Sequence, residues 1–383
     1  MTRPAAIVSG IHRPRPIVTK LSLLRKPMTL ADGLRAGRDN YLLLRHVAAA
    51  LLIYSHSYAL AGVAGGSDVV ARLLPGFYGG KVAVLMFFAI SGFLVTNSYL
   101  RRPQLVRFVA ARVLRIYPAY VVCLIVTVLL VGLFFTSLSL PSYFTDPGTW
   151  RYLLHNLGLS GLQYMLPGAF EGGRAYPGVV NGSLWSLALE ARLYLYLVVL
   201  ALLQVFRWRW FGAALAAVFV VANLWLWPEL APDSEGKRAL TVVFAAAAAA
   251  ACVAEYVPVS TRLLALLGLA TWLLRDHASA YGLTIAGIAY FTCWFAYRVP
   301  VLPLRFPGDY SYGLFLYGFP VQQALAALYP SLSPDQLTAL ALPVASLFAI
   351  ASWHGIERLA LSLKPRRAPV PVPDSAQMLQ GTS

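Results

Sequence analysis

Ten predominantly apolar runs, most close to the roughly 20 residues that a bilayer-crossing helix requires, dominate this sequence. They lie at about 42–63, 81–100, 114–137, 183–205, 211–228, 239–256, 260–275, 281–299, 309–329 and 336–355. A chain organised this way buries side chains against lipid, because only 12% of its residues are charged and a soluble domain carries roughly 25%. The expected fold class is all-α: a polytopic integral membrane protein of about ten transmembrane helices.

Charge sets the expected orientation. Lys and Arg number 31 against 15 Asp and Glu, a net charge of +16, and the cations gather between the apolar runs. Arg101, Arg102 and Arg107 form one group, Arg207 and Arg209 a second, Arg298 and Arg305 a third, and Arg358, Lys364, Arg366 and Arg367 a fourth. Such clusters follow the positive-inside rule and give both termini a cytoplasmic location. They do not indicate nucleic acid. The division expected is a basic cytoplasmic tail over 1–40, a membrane domain over 41–357 and a basic, Pro-rich cytoplasmic tail over 358–383. The 231–238 loop carries mixed charge. The longest connection, about 139–182, contains Tyr143, Trp150, Tyr152, Tyr164 and Tyr176, a composition suited to a folded or re-entrant extracytoplasmic cap. Cys123, Cys252 and Cys293 lie inside apolar runs with neither metal-ligand nor disulfide spacing. No signal peptide is evident, and no appended soluble domain or internal repeat is expected.

Several polar residues interrupt the apolar runs. Arg45 and His56 are eleven positions apart, about three helical turns with a rise of about 16 Å, so they share one face of the first span. An ionisable residue within a membrane is a functional candidate, although interhelical hydrogen bonding and interface anchoring also use such residues. Phe87-Phe88-Ala89-Ile90-Ser91-Gly92-Phe93 reads as a ligand approach or as a packing seam. Arg112 and Arg115, at i and i+3, share a face and suit phosphate binding as well as cytoplasmic anchoring. Glu190, about two turns into the fourth span, needs a partner. One candidate is His56, whose charged form a carboxylate would stabilise; a structural ion pair or a protonated carboxyl bonded to a nearby helix is the other reading.

Taken in order, these segments resemble the membrane acyltransferase type 3 family, whose members O-acylate lipopolysaccharide, exopolysaccharide, peptidoglycan and antibiotic sugars. The matching residues are Arg45-x10-His56, Phe87-Phe88-x-x-Ser91-Gly92-Phe93, Arg112-x-x-Arg115-Ile116-x-Pro118, Trp185-Ser186-Leu187-x-x-Glu190, Ser311-Tyr312-Gly313 and Ile356-Glu357. Two departures stand out: Tyr317-Gly318 replaces a frequent Trp-His, and Arg358 replaces a common Pro. Longer members carry a fused esterase-like domain, which this chain is expected to lack.

The resemblance implies an inner-membrane enzyme that takes an acyl group, foremost acetyl, from cytoplasmic acyl-CoA as co-substrate, with no bound cofactor and no metal. The acceptor is a hydroxyl of an extracytoplasmic glycan or lipid-linked sugar, reached among membrane lipids. It implies His56 as catalytic base or transient acyl carrier, with Glu190 orienting it. Arg112, Arg115 and Arg45 would bind the CoA phosphates, and Ser91 and Trp185 would contact substrate. A covalent role for Ser91 is disfavoured because no base stands at fixed spacing from it. Two alternatives are a secondary transporter or flippase, which also uses intramembrane Arg, His and Glu, and the same chemistry with succinyl-CoA.

Overall fold

The computed structural model describes residues 28–61, 66–172, 176–223, 235–277, 279–301 and 306–364. Helices α1 (Leu30–Ala36), α2 (Tyr41–Leu60), α3 (Val69–Leu73), α4 (Gly79–Arg101) and α5 (Leu105–Phe134) open the chain. The long connection holds α6 (Leu140–Thr145) and α7 (Pro147–Leu157). There follow α8 (Leu184–Leu202), α9 (Arg209–Val221), α10 (Glu235–Cys252), α11 (Thr261–Leu273) and α12 (Ser279–Arg298). The last are α13 (Ser311–Leu328), α14 (Pro334–Ser352), a π-helical turn at Trp353–Glu357, and α15 (Arg358–Ser362). No strand occurs among the described residues, only isolated bridges.

A helix occupies each of the ten apolar runs. Among the described residues, five stretches are long and apolar enough to cross a membrane: Gly79–Arg101, Leu105–Phe134, Leu184–Leu202, Ser279–Arg298 and Pro334–Ser362. Arg209–Val221 and Thr261–Leu273 are shorter apolar helices.

Small residues set how the bundle closes, as expected where lipid removes the hydrophobic drive between helices. On α14, Ala341, Ala345 and Ala349 recur every four residues and are fully buried. A Cβ on Gly313 of α13 would stand only 2.6 Å from the Ala349 Cα. Between α4 and α10, a Cβ on Gly92 would come within 2.5 Å of the Phe244 carbonyl oxygen. The seam reading of Ser91-Gly92 therefore holds for the glycine. Because the obstacle is backbone, Gly92→Ala is expected to lower stability by about 1–3 kcal/mol, visible as a lower thermal midpoint in detergent. An unchanged midpoint would refute this tight approach.

Pro320 cannot donate to the Leu316 carbonyl. The Asn181 side-chain amide takes that acceptor at 3.0 Å, and the Gln323 amide donates to the Tyr176 and Val179 carbonyls at 3.1 and 2.7 Å. These bonds fasten the long connection to α13. The connection is a folded cap as its composition suggests: Tyr143 and Tyr152 are buried, and the Tyr143 hydroxyl donates to the Val128 carbonyl at 3.0 Å.

Residues 1–27 lie outside the described residues, and 28–40 contain helix α1. Thr29 and Asp32 form a capping box on α1, and Leu30 is buried. At the other end, helix continues through the 357/358 boundary to Ser362, while Arg366 and Arg367 lie outside the described residues. So do Arg305 and residues 231–234; Glu235–Arg238 form the first turn of α10.

Candidate active site

Two adjoining cavities receive the residues singled out from sequence. The first, about 140 Å³, is lined by Arg45, Arg112, Arg115, Ser91 and Glu190. The second, about 200 Å³, is lined by His56 and Trp185, together with Tyr78, Lys81 and Glu235. Arg45 and His56 thus share α2 but face different chambers.

The cations of the first cavity are not equivalent. One oxygen of Asp309, Oδ2, accepts from Arg45 Nη1 at 2.5 Å and from Arg115 Nη2 at 2.7 Å, while Oδ1 accepts from Ser311 Oγ at 2.6 Å. Arg115 Nη1 also donates to Glu357 Oε2 at 3.1 Å. Glu357 is nearly fully buried, and its other oxygen accepts from Ser352 Oγ at 3.0 Å. The π turn at Trp353–Glu357 lies at this contact; such turns recur at functional sites. Arg112 differs. It forms no ion pair among the described residues, its Nε is buried without a hydrogen-bond partner, and its guanidinium lies 5.9 Å from the Tyr194 ring centre. Close by, partial burial and then the charges of Arg112 and Arg115 push the Lys364 ammonium below its usual pKa. The mouth therefore concentrates positive charge around one uncommitted guanidinium, which suits an anionic ligand.

Glu190 does not pair with His56, as one sequence reading had it. Its Oε1 accepts from Ser91 Oγ at 2.7 Å and from the Tyr194 hydroxyl at 2.5 Å. The fold thus supplies Ser91 with a carboxylate that no fixed spacing revealed. Glu190 and Tyr194 are one turn apart on α8 and face α4 together, so one acid fixes two hydroxyls inside the first cavity.

The backbone on both sides of His56 is tied down. Ser55 Oγ donates to buried Asp68 at 2.6 Å, and Asp68 also accepts from the Gly79 and Ala71 amides at 2.8 Å. Ser57 Oγ and the Ile53 carbonyl each accept from Gln322 Nε2 at 2.7 Å. The imidazole itself forms no hydrogen bond among the described residues. It stands edge-on to Phe319 with centroids 5.3 Å apart, leaving both nitrogens free for a ligand in the second cavity.

Known proteins are similar to this chain in sequence. The family described as an acyltransferase domain matches residues 40–354. The chain belongs to that family. This acyltransferase is 28% identical over 342 residues to the O-acetyl transferase of Shigella phage Sf6, covering 83% of this chain and 94% of that protein. It is 33% identical over 197 residues to nodulation protein 10 of Rhizobium leguminosarum bv. viciae, covering 49% and 50%. No solved structure matches it.

Sequence reasoning missed several residues of the acyltransferase's site. Asp309 stands two residues before the Ser311-Tyr312-Gly313 motif without belonging to it, and Glu357 enters only as half of Ile356-Glu357. Their signal was available: an acid beside each motif, in a chain with only 15 acids. Lys81 opens the second apolar run and Glu235 lies in the mixed-charge 231–238 loop; the fold pairs them at 3.2 Å at the second cavity, 154 residues apart in sequence.

Proposed function

We propose that this enzyme transfers an acyl group, foremost acetyl, from cytoplasmic acyl-CoA to a hydroxyl of an extracytoplasmic or lipid-linked glycan. In this reading the chain crosses the cytoplasmic membrane ten times with both termini inside, which puts the arginine-lined cavity on the cytoplasmic side. The observation that carries the reading is the pair of abutting cavities. One is cationic and suits the phosphates of a donor. The other holds an unpartnered imidazole beside Trp185, suited to a sugar hydroxyl and the ring that carries it.

The roles follow from the partners. Arg112, with Lys364, grips the donor phosphates, while Arg45 and Arg115, engaged by Asp309 and Glu357, shape and charge the entrance. Ser91, held by Glu190 and Tyr194, lines the path of the donor arm. His56 removes the proton of the attacking hydroxyl as the thioester carbonyl is attacked, and the thiolate leaves toward the first cavity. The name of the phage relative supports acetyl as the group moved.

Arg112→Ala is expected to raise the donor KM about tenfold to a hundredfold, matching the ~1.5–3 kcal/mol of a hydrogen bond to a charged group, with normal yield and thermal midpoint. Arg115→Ala should instead lower both, because it leaves buried Glu357 without its cation and Asp309 with Arg45 alone. Steady-state kinetics of purified, detergent-solubilised protein with labelled acetyl-CoA and a surface glycan tests both the reaction and this contrast. Equal KM values for wild type and Arg112→Ala would remove Arg112 from the donor site. No transfer by the wild type to any glycan would sink the reading.

A further inference from the structure

The two cavities share Val84 on α4, Ser186 on α8 and Phe315 on α13 in their linings. Three helices thus meet in a neck between the arginine-lined chamber and the His56 chamber. Val84 and Ser186 are buried. Ser186 Oγ donates to the Ser183 carbonyl at 3.2 Å, so its proton is turned back into its own helix turn. Val84 is β-branched and stiff at χ1. Phe315 is the largest of the three and only partly buried, and its nearest aromatic neighbour, Phe87, meets it edge-on at a loose 6.4 Å. It is the neck residue with most freedom to turn aside.

Arg45 and His56 are about 16 Å apart along α2, and the three residues common to both linings mark the boundary that a group handed from the first chamber to the second would cross. A constriction of apolar groups also resists wetting and would keep a thioester dry until an acceptor arrives.

From this geometry, and resting on the acyl-transfer reading above, we propose that Phe315 is the specificity-determining gate of the enzyme: its ring, set against Val84 and Ser186, admits short acyl groups and rejects longer unbranched chains. The neck measures the acyl group where it is narrowest, before the carbonyl reaches His56. One methylene more or less in an apolar pocket is worth roughly 10–200-fold in kcat/KM, so a gate of this kind leaves a steep chain-length profile that a merely supportive phenylalanine would not.

The test compares acetyl-CoA, butyryl-CoA and octanoyl-CoA as donors to one glycan acceptor, using purified full-length protein. Phe315→Ala is expected to raise the butyryl-to-acetyl ratio of kcat/KM at least about tenfold, and adding Val84→Phe should restore the wild-type ratio by returning bulk from the opposite wall. Phe315→Leu and Val84→Ala, smaller changes, keep the test open if Phe315→Ala fails to fold. Both should shift the ratio in the same direction. A wild-type ratio in every folded variant overturns the gate while leaving acyl transfer intact. Absence of transfer by the wild type from all three donors overturns the functional reading and the gate with it.

Discussion

His56→Ala is expected to abolish detectable acyl transfer and to leave a folded, membrane-inserted protein, the largest catalytic effect expected of any single substitution here. General-base assistance is worth roughly 10²–10⁴-fold, and alanine removes all of it. The protein should survive because the bonds that hold this part of α2 belong to the residues on either side. Ser55 is tied to Asp68, and Gln322 donates to Ile53 and Ser57. The imidazole contributes only its edge contact with Phe319. Labelled acetyl transfer to glycan, read beside size-exclusion behaviour in detergent, separates chemistry from folding. Transfer within tenfold of wild type would exclude His56 as the base.

Asp309→Ala should produce the largest loss of stability. A single carboxylate oxygen receives two guanidinium groups, from Arg45 and Arg115, at a site where all three side chains are mostly buried. Removing one partner of a buried pair typically costs ~3–5 kcal/mol, since the remaining charge loses its counterion without regaining water. Here Arg45 loses the one carboxylate it is ion-paired with among the described residues, while Arg115 keeps Glu357. The expected outcome is low yield and a markedly lower thermal midpoint. Asp309→Asn should fall between alanine and wild type, because its amide oxygen still accepts a hydrogen bond but carries no charge. A wild-type midpoint for Asp309→Ala would mean that solvent or lipid phosphate already balances the arginines.

Much of the bundle was legible because lipid imposes a strict length on apolar runs. Each run contains a helix, and the three-turn repeat between Arg45 and His56 placed both on one face of α2. The capping box Thr29-x-x-Asp32 was equally readable as the start of α1, but prolines and arginines around it masked the signal. The site's internal wiring was not readable. Asp309 is 264 residues from Arg45 and 194 from Arg115, and Glu190 is 99 from Ser91. No local period links such pairs.

By itself, then, the sequence determined the solvent of this protein, its helical elements and, through ordered motifs, its acyltransferase class, because hydropathy and spacing are properties of neighbours along a chain. Tertiary structure alone decided which charges cancel. It assigned Glu190 to Ser91 and Tyr194 rather than to His56, committed Arg45 and Arg115 to Asp309 while leaving Arg112 open, and brought Val84, Ser186 and Phe315 into one neck. Electrostatic pairing and cavity shape depend on distances across helices, which the close approach of small residues at Gly92 and Gly313 sets.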